Sequence, residues 1–131
     1  MIVLDTHIII WDALRPELIS KKARTAIDKS TDSDGIIISE ISLWEIAMLH
    51  HKGRLKIDTT YLDFINLIKI TNKYIFKGIS AEIAEISVNL PSEINLDPAD
   101  RIICATAKAY DASLVTADDN IIRSKTVRTI W

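Results

Sequence analysis

Hydrophobic residues along this chain form short runs that alternate with longer segments of helical spacing. The runs are too short for helices and are bounded by polar or turn-forming residues, which is typical of strands buried on both faces of a parallel sheet. Five runs fit this description: Met1–Leu4, Ile36–Ile38, Tyr74–Ile79, Ser113–Ala117 and Val127–Ile130. The pattern therefore predicts five strands.

The segments between these runs carry helix signals. Serine, aspartate and proline stand at their starts, and glycine or proline at their ends, as helix boundaries require. The predicted helices follow Ser20, cover Glu40–His51 after Ser39, carry Tyr61, Phe64, Ile65 and Ile68 on one face, follow Ser80, and cover Pro98–Tyr110 after Asp97. Strands that alternate with helices imply right-handed βαβ crossovers and a three-layer α/β/α sandwich. With no repeat or linker in view, residues 1–131 are predicted to form a single domain.

Composition narrows the class of protein but not its partner. Hydrophobic residues make up 48% of the 131 residues and charged residues 26%, which is ordinary for a globular protein. No apolar run approaches the roughly 20 residues of a membrane helix, and the N-terminus lacks the pattern of a secretory signal. The lone Cys104 agrees with a reducing compartment, so we expect a cytoplasmic protein. A net charge of −2 neither favours nor excludes nucleic acid, and any RNA contact should come from a local basic patch.

Four acidic residues are placed to form a site. In an open parallel sheet, ligands bind beyond the carboxyl ends of the strands, close to the point where the strand order reverses. Asp5 and Asp118 directly follow predicted strands. Glu45 and Asp100 lie near the starts of helices that begin at the same edge. We therefore expect the four carboxylates to converge.

A cluster of this kind predicts a bound cation. Like charges a few ångströms apart raise one another's pKa unless a cation offsets them. Hard oxygen ligands without a nearby cysteine or histidine set favour Mg²⁺, with Mn²⁺ as an alternative, over zinc. Such an ion polarises a phosphoryl oxygen and activates water, which is the chemistry of phosphodiester cleavage.

Each acid also has an ordinary structural explanation. Asp5 is equally well explained as the residue that ends a strand and opens a turn. Asp100 fits a first-turn acid that interacts with the helix dipole, and Asp97 is better explained as a helix N-cap than as a ligand. Asp118 and Asp119 compete for one position, because spacing alone does not separate them.

Glu45 has a rival role of its own. Ser42-Leu43-Trp44-Glu45 matches a capping box, but Ser39 directly follows a predicted strand and is the better N-cap, which leaves Glu45 within the helix. Arg101 lies beside Asp100 and has two equally good explanations. Its guanidinium could contact an RNA phosphate, or it could pair with a neighbouring acid.

Four other residues have simpler explanations than a role in the site. Cys104 lies in an apolar helical stretch and is predicted to be a core thiol. His7 is more simply a solvated or core residue than a substrate contact. Trp11 and Trp44 are expected in the core or at an interface.

Four short segments resemble the PIN domain, in particular the VapC-like toxins of prokaryotic toxin–antitoxin pairs. They are Leu4-Asp5-Thr6-His7, Ser42-Leu43-Trp44-Glu45-Ile46-Ala47, Asp97-Pro98-Ala99-Asp100-Arg101 and Val115-Thr116-Ala117-Asp118. The segments occur in the family's order, and the resemblance spans essentially the whole chain. Each segment alone is a weak signal, whereas the four together are specific.

The resemblance implies a central five-stranded parallel sheet flanked by helices and a Mg²⁺-dependent endoribonuclease, with RNA as substrate. It also implies a homodimer and inhibition by a cognate antitoxin. Asp118 takes the family's position, with Asp119 as a possible helper. Thr6 and Thr116 are implied as supporting residues, Thr116 because it matches a hydroxyl that orients the site. A catalytically silent PIN-like module that binds a protein partner is the alternative function.

Overall fold

The computed structural model describes residues 1–92 and 96–131, and this part of the chain contains five strands and seven α-helices. In chain order they are β1 (Ile2–Leu4), α1 (Thr6–Leu14), α2 (Lys21–Thr31), β2 (Ile36–Ser39), α3 (Ile41–His51), α4 (Tyr61–Thr71), β3 (Tyr74–Lys77), α5 (Ala81–Asn89), α6 (Pro98–Ala109), β4 (Ser113–Val115), α7 (Asp119–Ser124) and β5 (Thr129–Ile130). A short 3₁₀ helix, Pro16–Leu18, connects α1 and α2. The five predicted strands are confirmed, each within a residue or two of its predicted bounds.

The strands form one parallel sheet in the order β3-β2-β1-β4-β5. The central strand β1 pairs with both β2 and β4, and Val3 lies opposite Ile37 on one side and Leu114 on the other. The strand order reverses between β1 and β4, because the chain first extends the sheet through β2 and β3 and then returns to the far side of β1. The carboxyl ends of β1 and β4 are therefore where a ligand site is expected.

Apolar side chains on the two faces of the sheet pack into two separate cores. Ile2 and Leu4 of β1 face a cluster that includes residues of α1, α2, α3 and α4. Val3, between them, faces a second cluster that includes residues of α5, α6 and α7. Val3 and Leu4 are both fully buried, so the sheet is covered on both faces. The prediction of a three-layer α/β/α sandwich around a five-stranded parallel sheet is confirmed.

Two helices were not predicted from the sequence. Helix α1 contains Ile8–Ile10, and a run of β-branched residues is more typical of a strand. All three isoleucines are buried against the sheet, so tertiary packing outweighs their weak helix propensity. Helix α7 has six residues, which is too short for a helical period to show.

The predicted N-cap of α3 was wrong. Ser39 is the last residue of β2 and Glu40 occupies the N-cap position. The Ser39 hydroxyl still accepts a hydrogen bond from the Ile41 N–H at 3.4 Å, so it stabilises the start of the helix from one position earlier. Among the described helices, none is long and apolar enough to cross a membrane.

Candidate active site

A cavity of about 300 Å³ opens at the carboxyl ends of β1 and β4. Five acids line it: Asp5, Glu45, Asp97, Asp100 and Asp118. They come from the residues that follow β1 and β4, from the middle of α3 and from the start of α6. The structure thus brings all four predicted acids into one pocket and adds Asp97.

Asp5 is held by hydrogen bonds to both carboxylate oxygens. It is 7% exposed and is the N-cap of α1, where its Oδ1 accepts from the Thr6 N–H at 2.8 Å. Its Oδ2 accepts from the Thr116 hydroxyl at 2.7 Å. The turn-opening role considered for Asp5 is therefore real. It coexists with a place in the acidic pocket, because the cap orients the carboxylate at the end of β1.

Thr116 connects Asp5 to Asp118. Its hydroxyl group donates to Asp5 Oδ2, and its hydroxyl oxygen accepts from the Asp118 N–H at 3.0 Å. Asp118 in turn caps α7, with Oδ1 accepting from the N–H groups of Asn120 at 2.8 Å and Ile121 at 3.3 Å. Asp118 lines the pocket, whereas Asp119 is an exposed residue of the first turn of α7 outside the lining. The geometry therefore distinguishes Asp118 from Asp119, which their spacing in the sequence could not do.

Glu45 is attached to α1 by a chain of hydroxyl groups. The Thr6 hydroxyl donates to Glu45 Oε1 at 2.5 Å, and the Ser42 Oγ lies 2.8 Å from the Thr6 Oγ1. Because the Thr6 proton goes to the carboxylate, the Ser42 hydroxyl is the donor in the second bond. Ser42 is fully buried within α3. Glu45 lies within α3, as predicted. The capping box that was set aside does not form, because both side chains bond across to α1 rather than to the start of their own helix.

Asp97 and Asp100 lie one turn apart at the start of α6. The predicted cap is confirmed, since Asp97 Oδ1 accepts from the Asp100 N–H at 2.8 Å. In addition, one carboxylate oxygen from each of Glu45, Asp97 and Asp100 lies within 4.8 Å of the other two. Asp97 is thus a cap and also a member of the acidic group. The sequence analysis had treated these two roles as alternatives.

Burial and mutual repulsion disfavour ionisation in this pocket. Burial, followed by the charges of Asp97, Asp5, Glu45 and Asp118, raises the pKa of Asp100 to about 8. Burial also raises the pKa of Asp5 and of Glu45, although hydrogen bonds from Thr116 and Thr6 respectively act in the opposite direction. Such a site is ready to exchange a proton for a metal ion.

Arg101 points away from the acidic pocket. Its guanidinium donates to the carbonyl oxygens of Ser87 and Leu90, each at 3.3 Å, and of Pro91 at 3.4 Å. These contacts tie α6 to the end of α5. Arg101 lines a different cavity from the five acids.

Sequence reasoning missed several residues at the site. Ser42 was considered only as a possible cap and set aside in favour of Ser39. Its burial beside Thr6 is visible only once α1 and α3 are packed together. Trp11 lines the acidic pocket together with His7 and also packs on the apolar core. Because α1 was not predicted, the one-turn spacing of His7 and Trp11 along it was not recognised as a shared face.

Comparison with known proteins assigns this chain to a family. The model of the PIN domain matches residues 2–126. The chain belongs to the PIN domain family. A relative, ribonuclease VapC22 of Mycobacterium tuberculosis, is 30% identical to it over 132 residues, which cover 99% of this chain and 98% of that protein.

Solved structures share the same fold. A VapBC2 complex of Rickettsia felis bound to promoter DNA contains a chain that superposes with a TM-score of 0.73 at 18% identity, covering 98% of this chain and 97% of that one. The DNA-bound VapBC of Salmonella typhimurium gives a TM-score of 0.72 at 16% identity, with 98% and 95% covered. At such identities the structural likeness establishes the fold alone. Any conclusion about chemistry has to come from the residues of the site.

Proposed function

We propose that this PIN domain is a metal-dependent endoribonuclease, the toxin of a toxin–antitoxin pair, that hydrolyses RNA phosphodiester bonds. The observation that carries the proposal is the convergence of five carboxylates in one pocket at the switch point of the sheet. The relative named a ribonuclease supports the same activity. We further propose that residues 1–131 act as a single domain.

The residues present fit a hard divalent cation. Oxygen atoms of Glu45, Asp97 and Asp100 are close enough to share an ion. Burial, followed by repulsion from the neighbouring acids, raises the pKa of Asp100 to about 8, and a cation would offset the repulsive part. The donor set consists of carboxylates, which Mg²⁺ prefers and Mn²⁺ also accepts. We propose Mg²⁺, held by Glu45, Asp97 and Asp100, whose oxygens form this group, together with Asp5 and Asp118, which line the same pocket.

The bound ion would supply a polarised phosphoryl oxygen and an activated water. The chain itself supplies rigidity. Thr116 holds Asp5, and Thr6 holds Glu45, each through a hydroxyl bond to one carboxylate oxygen. Asp5 and Thr6 are at most 7% exposed, so these bonds are shielded from water and fix where the charges lie. No side chain needs to form a covalent intermediate.

The antitoxin and the homodimer remain proposals for this chain. The solved structures that share its fold include VapBC toxin–antitoxin complexes, which supports a protein inhibitor of the same kind. Size-exclusion chromatography with light scattering tests the dimer. Co-expression with the product of an adjacent small gene, followed by co-purification and loss of RNA cleavage, tests the antitoxin. A cytoplasmic location follows if the partner is a DNA-binding antitoxin.

The decisive experiment is RNA cleavage by purified protein with Mg²⁺ and with EDTA, comparing Asp5→Asn with the unchanged chain. Asparagine keeps an acceptor for the Thr6 N–H and so keeps the cap, but it removes a charge. We expect cleavage to need the metal and to be lost in Asp5→Asn without loss of folding. Asp28→Asn is the matched control, because the Asp28 side chain is 67% exposed on α2.

A silent protein-binding module predicts a different result. It would bind an antitoxin normally and show no metal-dependent cleavage in the unchanged chain. Equal cleavage by Asp5→Asn and by the unchanged chain would instead overturn the proposed site. Asp119→Asn, tested beside Asp118→Asn, decides whether Asp119 assists Asp118.

A further inference from the structure

An aromatic surface borders the acidic pocket. Trp11 and His7 line the same cavity as the five acids. Their ring centroids are 6.0 Å apart, and the Trp11 ring lies 5.9 Å from that of Trp131 at an interplanar angle of 47°. Trp11 and Trp131 also pack against the apolar core beneath α1. The Trp11 ring is therefore held in place beside the carboxylates before any ligand arrives.

The charge of the pocket does not explain how RNA would be held there. Among the described residues that line it, five are acids and none is lysine or arginine. The guanidinium of Arg101, the nearest arginine in sequence, is directed to carbonyl groups at the end of α5. A phosphate drawn in by a metal ion would still find no lysine or arginine among the described residues that line this pocket. Within this pocket, affinity for a nucleotide next to the phosphate therefore has to come from contacts other than lysine or arginine.

We propose that Trp11, with His7 beside it, forms a stacking subsite for an unpaired RNA base next to the phosphodiester bond that enters the acidic pocket. This inference rests on the proposed function and names the part of the substrate that the aromatic surface binds. Every base has a π-face, so stacking on an aromatic side chain adds affinity of about 10- to 100-fold with little dependence on sequence. The faces of a paired base are covered by its neighbours in a duplex, so the subsite selects single-stranded RNA.

The geometry also explains why a tryptophan is suited to this position. A side chain that is packed in advance loses little conformational freedom when a base stacks on it. Trp131 and the core beneath α1 provide that packing. His7 is exposed, and its ring extends the aromatic surface toward solvent.

The test compares RNA binding by variants that separate aromatic character from apolar volume. Trp11→Phe keeps an aromatic face, and Trp11→Leu keeps apolar packing without one. Trp44→Leu is the matched control, because Trp44 is 57% exposed on α3 and lies outside the pocket lining. All are made in an Asp100→Asn background so that RNA stays intact during the measurement. Binding is followed by fluorescence anisotropy of a short labelled single-stranded RNA in Mg²⁺.

We expect Trp11→Leu to weaken binding about 10-fold or more, Trp11→Phe to weaken it less, and Trp44→Leu to leave it unchanged. A second arm needs no change to the aromatic residues. The same RNA with abasic nucleotides should bind about as weakly to the parent as intact RNA binds to Trp11→Leu, and a duplex should show no dependence on Trp11.

Equal affinity of the parent protein for intact and abasic RNA would overturn the stacking subsite, whether or not Trp11→Leu folds well. The cleavage assay with the unchanged chain is read separately. Loss of the stacking subsite with metal-dependent cleavage intact leaves the proposed function standing. Absence of cleavage together with Trp11-dependent binding of single-stranded RNA removes the nuclease and retains the subsite.

Discussion

Replacing Asp100 with asparagine should make the metal-free protein more stable at neutral pH, although it removes a residue of the proposed active site. The pKa of Asp100 is raised from an ordinary value of 3.8 to about 8 by burial and by the surrounding acids. At neutral pH the carboxyl group is therefore protonated in the folded chain and ionised in the unfolded one. The folded state binds one proton more, so its stability falls as the pH rises through this interval.

The size of the effect follows from the number of protons. One extra proton in the folded state lowers the free energy of unfolding by about 1.4 kcal/mol for each pH unit. Between about pH 5.5 and about pH 7.5, which lie inside the interval, the upper limit is about 3 kcal/mol. Asp100 is only partly buried, so solvent screening reduces the expected loss to about 1–2 kcal/mol. Asparagine does not titrate, so the variant should not lose this part of its free energy of unfolding as the pH rises.

The assay is urea unfolding in EDTA at the two pH values, for the unchanged chain and for Asp100→Asn, with Asp28→Asn as the control. We expect the free energy of unfolding of the variant, relative to that of the unchanged chain, to rise by about 1–2 kcal/mol between the lower and the higher pH. Asp5 and Glu45, whose pKa values are also raised, contribute in the same direction to both proteins. Parallel pH profiles for the two proteins would show that Asp100 is not the protonated group and would refute the reasoning.

Three further outcomes are expected. Thr6→Val should lower metal-dependent cleavage about 10-fold, because it removes the bond to Glu45, worth about 1.5–3 kcal/mol for a charged acceptor. Thr6→Ser should restore most of the activity in the same assay, and equal loss in both variants would implicate packing instead. Asp118→Asn should abolish cleavage and leave thermal stability unchanged, because asparagine also caps helices. Asp118→Ala should abolish cleavage and also lower the free energy of unfolding in urea by about 1 kcal/mol. Burial raises the pKa of the Cys104 thiol to about 12, so a thiol reagent should react with it only after denaturant is added; rapid labelling of the native protein would contradict its place in the core.

The parts of the fold that local pattern specifies could be predicted. β1 and β2 are fully buried and their unbroken apolar runs are the signature of central parallel strands. Ile8–Ile10 carries an equally apolar run, yet it is helical. Asp5 marks the boundary, because it caps the helix one residue after β1 ends. A single polar residue inside an apolar stretch is too weak a signal to predict where a strand ends and a helix begins.

The site shows the same division. Asp5 and Asp118 could be predicted because the ends of parallel strands share one edge of the sheet. The bond between Thr6 and Glu45 could not, because it depends on how closely α1 and α3 approach each other. Asp97 was predicted to be a helix N-cap rather than a metal ligand. A carboxylate has two oxygens, and only Oδ1 is needed for the cap.

Three of the five acids in the pocket are also N-caps: Asp5 for α1, Asp97 for α6 and Asp118 for α7. This double use constrains how the chain can change over evolutionary time. A substitution to an apolar residue at any of these positions removes a charge and weakens a helix at once, so it is selected against even where catalysis is no longer needed. Asparagine or serine removes the charge and retains the cap. A descendant that keeps this fold as a binding partner alone should therefore carry Asn or Ser at these three positions, while Glu45, which caps no helix, is free to diverge more widely.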